Sequence, residues 1–226
     1  MAGQMTHMVI AYDLIKRLGI KEGKAEFVLG CVAPDSVPFT EPERKEKIHS
    51  HLFENCGPWG DTQDYDNWLV NIKAFWDKYG VGEEDKKKKA FLLGICVHCL
   101  TDYWNDLYIW RGLQKKMMPP MTLEEFKEAY YPEAGRIDKW LFQNAEHADE
   151  IRKLIIESEE MDFEDYAYAD DLADIKRWMI DDQYNLSEQI DVSDHKYYTS
   201  DMNLWFIKEA TNKIIEQLKG KLKFIR

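Results

Sequence analysis

Residues 90–111, AFLLGICVHCLTDYWNDLYIWR, leave the chain the least freedom. Their first ten positions are almost wholly apolar, and nothing breaks a helix except the tolerable Gly94. Glu83, Glu84 and Asp85 precede them, where acidic groups suit the positive end of a helix dipole. A helix apolar nearly all round belongs at the centre of a bundle. Into that surface the sequence sets His98 and Asp102, with Asp106 one turn further on. Residues four apart share a helix face, about 6 Å apart, so imidazole and carboxylate point the same way. A buried carboxylate needs a strong partner. A divalent metal would serve, and so would a plain His–Asp hydrogen bond inside the core.

The surroundings fit a helical protein. Periodicity predicts helices over residues 5–18, Gly23–Cys31 and Tyr65–Tyr79, the last ending at Gly80. A turn follows the second, because the residue before Pro34 is pushed out of helical geometry, and it presents Asp35. Thr40–Lys47 reads as a polar loop leading into His49-Ser50-His51. Alternate residues diverge, so at most one of His49 and His51 faces a given point. Asn55–Asp66 reads as an ordered acidic loop, and Lys86–Lys89 as a solvated helix face. Lys115–Pro120 is a turn, and Thr122 with Glu125 forms a capping box starting a helix to about Tyr130. Further helices are expected over Gly135–Ser158, carrying His147, over Asp170–Glu188, and from Ser200 to the C-terminal lysines. His147 could reach a site with Glu146 or Glu150, and Asp194-His195 is a polar turn before the last helix. Strand alternation is nowhere convincing, so residues 1–226 are expected to form one all-α domain, a helical bundle.

Charge narrows the partners. A net charge of −12 argues against an electrostatic grip on nucleic acid or an anionic membrane, although a metal cluster can reverse the local sign. The N-terminus lacks a basic stretch and Asp13 interrupts its apolar residues, so it reads as neither signal peptide nor transmembrane segment. The expectation is a cytoplasmic protein with four reduced cysteines. Cys96-x-x-Cys99 lies mid-helix without a second pair, and reads as two small buried residues or as a redox pair.

Thr6-His7, Gly30-Cys31-Val32-Ala33-Pro34-Asp35, Ser50-His51 and Gly94-x-x-x-His98-x-x-x-Asp102 occur in that order. In these pieces the chain resembles the bacterial zinc-dependent phospholipase C-like proteins, related to the S1/P1 nuclease fold. The resemblance covers residues 1 to about 110. It implies an all-helical bundle of the phospholipase C / P1 nuclease type around a zinc cluster. Asp35, His51, His98 and Asp102 would be metal ligands, with His7 supplied by the first helix and Asp102 bridging. His51 rather than His49 matches the family pattern. The secreted members use a processed N-terminus as a ligand, whereas six residues precede His7 here. Their third site needs a later H-x-x-x-E, whereas this chain offers only His147-x-x-Glu150. Two zinc ions, or other divalent metals, are therefore expected rather than three.

The chemistry so implied is phosphoester hydrolysis by a metal-activated water, with Asp35 as candidate catalytic base. No nucleophile-elbow or Ser–His–Asp pattern competes with it. The substrate would be a small-molecule or lipid phosphoester. The alternatives are a non-catalytic metal-binding protein of the same fold, or a redox function of Cys96 and Cys99.

Overall fold

In the computed structural model, which describes residues 2–37, 47–220 and 222–224, helices account for every regular element and no strand occurs among those residues. The helices are α1 (Gln4–Leu18), α2 (Lys24–Gly30), α3 (Lys47–Ser50), α4 (Tyr65–Phe75), α5 (Lys86–Asn105), α6 (Arg111–Met117), α7 (Leu123–Asn144), α8 (Ala148–Glu157), α9 (Ala169–Arg177) and α10 (Ser200–Lys219). A 3-10 turn, Ala33–Asp35, follows α2. Wider π turns continue α4 (Trp76–Gly80), α5 (Asp106–Trp110) and α9 (Trp178–Gln183). The all-α reading of the sequence holds.

Helix α5 is the axis of the bundle. It begins at the lysine run, earlier than its apolar stretch, because Asp85 caps it by accepting from the Lys87 and Lys88 amides. Residues 90–103 are all buried, and α1, α2, α4 and α10 pack around them. The α2–α5 crossing is the closest, and two glycines make it so. A Cβ on Gly30 would lie 2.2 Å from the Phe91 carbonyl oxygen, and one on Gly94 2.4 Å from that of Phe27. Gly94 is thus the point where two backbones meet, and the Cys31 carbonyl is brought against His98.

Four boundaries differ from expectation. Lys115–Met117 are the end of α6, not a turn. The capping box of Thr122 and Glu125 is present, but α7 runs past Tyr130 to Asn144 with Pro132 inside it. A proline costs one helical hydrogen bond, and Phe126 and Tyr130, packed against Trp110, hold the helix through that gap. The expected Gly135–Ser158 helix is two helices. Extended Ala145 ends α7, so that α8 can turn back onto α1 and α2. The helix expected to reach Glu188 stops at Gln183. Most of the Thr40–Lys47 loop lies outside the described residues.

Candidate metal centre

Four elements each deliver a buried polar side chain to one point beside α5. His7 comes from α1, whose first turn Asp138 fixes by accepting from the Met5 amide (2.8 Å) while Tyr184 donates to its other oxygen (2.6 Å). Gly3 leaves room for that carboxylate, since a Cβ there would lie 2.3 Å from Asp138 Oδ1. Asp35 comes from the 3-10 turn after α2. His51 follows α3, and the Ser50 hydroxyl ties that turn to the Pro34 carbonyl (2.9 Å). His98 and Asp102 come from α5, one turn apart.

Their ligating atoms are packed closely. His98 Nε2 lies 3.3 Å from Asp102 Oδ2, and His51 Nε2 lies 3.6 Å from the same oxygen. His51 Nε2 is also 3.4 Å from Asp35 Oδ1, and His7 Nε2 is 3.4 Å from Asp102 Oδ1. The His7 and His98 rings stack at 4.0 Å. Two triplets, His7/Asp35/His98 and His51/His98/Asp102, each offer atoms within 4.8 Å of one another. Lys47 Nζ completes the surroundings 3.1 Å from Asp35 Oδ1, and the Ala2 amide donates to Asp102 Oδ1 (3.0 Å).

The outer hydrogen bonds fix which nitrogen is free. A carbonyl only accepts, so His98 Nδ1–H must donate to Cys31 O (2.8 Å). The Ser50 hydroxyl spends its hydrogen on Pro34, so His51 Nδ1–H donates to Ser50 Oγ (2.9 Å). Both rings therefore turn Nε2 inward. The inward atoms of His7, His51, His98 and Asp102 Oδ2 make no hydrogen bond, although they touch one another. A lone pair facing a carboxylate oxygen is repulsive unless a proton or a cation lies between. Two zinc ligands at about 2.1 Å on a tetrahedral ion lie about 3.4 Å apart, which is the spacing of these contacts. The residues present fit a zinc-type ion.

Burial and the neighbouring charges set the protonation of the cluster. Burial and the His98 charge push His7 down, and burial does the same to His51, which leaves both imidazoles neutral and ligand-ready. Burial works against the charged His98, but Asp102, with Asp35 and the Cys31 carbonyl, outweighs it and the net shift is upward, so the metal-free ring favours the protonated form that an ion would replace. Burial would raise both carboxyls; His51 and Lys47 beside Asp35, and His7 and His98 beside Asp102, more than reverse this and hold both well below the usual carboxylate range.

The other candidates lie elsewhere. His49 faces Glu54 Oε1 (2.6 Å) and Asp165 Oδ1 (3.1 Å), and stacks on Tyr166. His147 meets Lys16 Nζ (2.7 Å) and the Tyr12 ring. His195 donates to the Tyr198 carbonyl inside a turn whose amides Glu133 collects. Asp106 accepts from the Tyr65 hydroxyl and lies 4.0 Å from Arg111 Nε. Burial raises the Cys96 and Cys99 thiols well above their ordinary values, which leaves little thiolate for redox chemistry.

Beside the cluster opens a cleft of about 510 Å³ walled by Trp59, Trp110 and Tyr131. Trp59 sets its ring edge-on to His51 at 4.8 Å, joining cleft and cluster. Lys47 and Asn105 escaped the sequence reading. Asn105 carried a usable signal, lying three residues after Asp102 and seven after His98 on one helix face. Lys47 carried none, as one lysine among several in a charged stretch.

The chain is an all-helical bundle with a buried His/Asp cluster, compatible with metal binding, against its central helix. Within it, residues 6–104 match the family model described as zinc dependent phospholipase C, so the resemblance to that family is shown over this segment, which contains all five cluster residues. No curated protein and no solved structure matches the chain. Among the described residues, no helix is long and apolar enough to cross a membrane.

Proposed function

We propose that this protein is a zinc-dependent hydrolase of phosphoesters, with His7, Asp35, His51, His98 and Asp102 as the metal ligands. The observation that carries it is the set of 3.3–3.6 Å contacts between imidazole nitrogens and carboxylate oxygens in which the Nε2 atoms of His7, His51 and His98 and Asp102 Oδ2 have no hydrogen-bond partner. Asp102 offers Oδ1 toward His7 and Oδ2 toward His51 and His98, which is compatible with two ions, while His98, its Nδ1 engaged by Cys31 O, could serve only one of them. Zinc, when bound, would supply a Lewis acid for the phosphoryl group and acidify water toward neutral pKa.

The chain's own residues do the rest. Cys31 O and Ser50 Oγ orient the imidazoles, and such outer partners set ligand basicity as well as position. Asp102 lies within 3.6 Å of His7, His51 and His98, which suits a bridging carboxylate. Asp35 is held ionised by the Lys47 ammonium 3.1 Å away. Such an acidified carboxylate makes a firm ligand and a weak base, so its role in taking a proton from water comes second. The cleft beside His51 would admit the organic part of a small-molecule or lipid phosphoester, and Trp59 and Tyr131 would shield it from water.

The test is reconstitution. Protein stripped by chelator and reloaded with zinc should hydrolyse bis(p-nitrophenyl) phosphate or p-nitrophenyl phosphate. Asp102→Asn should lower the rate at least 100-fold, since outer-shell changes alone commonly cost about 10–100-fold. Stoichiometric zinc without turnover of any phosphoester would replace this reading with a non-catalytic metal protein.

A further inference from the structure

Asn105 is fully buried, yet neither Nδ2 nor Oδ1 has a hydrogen-bond partner. Native folds rarely leave both ends of a buried carboxamide unpaired, because the lost hydration is not returned. The side chain lines the cleft beside the cluster. It stands one helical turn beyond Asp102, which puts the two Cβ atoms about 5–6 Å apart. It is also the last α-helical residue before the π turn Asp106–Trp110, and such widened turns recur at functional sites.

The cleft itself has a definite chemistry. Trp59, Trp110 and Tyr131 form its walls. Its carboxylates are already engaged, Asp106 with Tyr65 and Asp61 with Arg111 Nη1 (3.1 Å). Its lysine, Lys127, faces Glu124 (3.7 Å). Such a lining suits an uncharged, flat or apolar organic group better than a second phosphate. If the phosphoryl group sits at the cluster and the organic group in the cleft, the ester bond lies between them, beside Asn105.

We propose that the Asn105 carboxamide hydrogen-bonds the leaving oxygen of a phosphoester whose organic group is uncharged and occupies the aromatic cleft. This rests on the hydrolase reading above. A water oxygen bonds to phosphorus as the ester P–O bond breaks, and the pair of the broken bond passes to the alcohol oxygen. Nδ2–H donates to that oxygen while its charge develops, and water supplies the proton that completes the alcohol. A donor aimed at developing charge accelerates the chemical step. Its benefit grows as the alcohol becomes a poorer leaving group.

The experiment uses full-length, zinc-loaded wild type and Asn105→Leu with phenyl phosphate and p-nitrophenyl phosphate. Zinc content should be unchanged in the variant. Its melting temperature should hold or rise, because an apolar side chain of similar size removes two unpaired polar atoms. The kcat for phenyl phosphate should fall at least tenfold, and that for p-nitrophenyl phosphate clearly less. Equal losses on both esters, unchanged kinetics, or a fall in zinc content would overturn the assignment. Should Asn105→Leu fail to fold, Asn105→Asp takes its place; its carboxylate opposes the developing charge, so the same unequal loss is expected. A wild type that binds zinc but hydrolyses neither ester defeats the hydrolase reading and this inference with it. A wild type active on both, with an indistinguishable variant, defeats this inference alone.

Discussion

His98 is held at Nδ1 by the Cys31 carbonyl, and its Nε2 lies 3.3 Å from Asp102 Oδ2 with no hydrogen bond between them. His98→Ala removes both contacts and strands a buried carboxylate. We expect a loss of roughly 3 kcal/mol, as for other broken buried pairs, and no zinc retention; thermal melting and metal analysis read the two effects. His49 offers a pH test outside the cluster. The Glu54 and Asp165 carboxylates outweigh its partial burial and push it up to about 9. A raised folded value means stability fully present below the ordinary 6.5 and lost as pH rises through about 9. Metal-free protein should therefore melt lower at pH 9.5 than at pH 6.5, and His49→Gln should flatten that part of the slope. A slope unchanged by the substitution would contradict the role given to this pair. Spacing alone could not separate His49 from His51, because it says only that they diverge; the resemblance at Ser50-His51 chose His51. What decides is the single turn of α3, pinned by Ser50 to Pro34.

At the scale of elements, the α2–α5 crossing couples packing to the site. Gly30→Ala would place a methyl 2.2 Å from the Phe91 carbonyl and force the helices apart. Overpacking of this kind costs about 1–3 kcal/mol. Because Cys31 would move away from His98, zinc affinity should fall along with the melting temperature. Gly112→Ala, where nothing lies within 4 Å of the added carbon, is the control and should change neither. A Gly30→Ala protein with wild-type zinc affinity would show that the crossing does not set the site. The core helices were legible from apolar periodicity, and the G-x-x-x-H-x-x-x-D pattern placed Gly94, His98 and Asp102 on α5. What periodicity missed were boundaries set by distant packing. Pro132 survives inside α7 through aromatic contacts with Trp110's neighbourhood, and the break at Ala145 exists because α8 folds back. Neither partner is near in sequence.

At the scale of the whole molecule, α1, the turn after α2, the turn after α3, and α5 all meet at one cluster, and one apolar core runs from Ala2 to Phe224. A single cooperative thermal transition is therefore expected, and two separated transitions would contradict the reading of residues 1–226 as one domain. The five cluster residues were named by the sequence because motif order carries them; the cleft and Asn105 were not, since they arise where α5, α7 and the 58–61 loop come together. The central claim is that a divalent metal, not a proton, holds the inward-facing atoms together. Metal binding to the folded state alone stabilises it by about 4 kcal/mol at a thousandfold excess over Kd. For a chain of this size that is roughly 10 °C in melting temperature. The direct measurement is the melting temperature of zinc-loaded wild type with and without excess EDTA, after metal exchange has been demonstrated. A fall of that size in EDTA, reversed by zinc and absent in His98→Ala, is the predicted result; a wild-type melting curve that does not move would contradict the metal centre and the hydrolase with it.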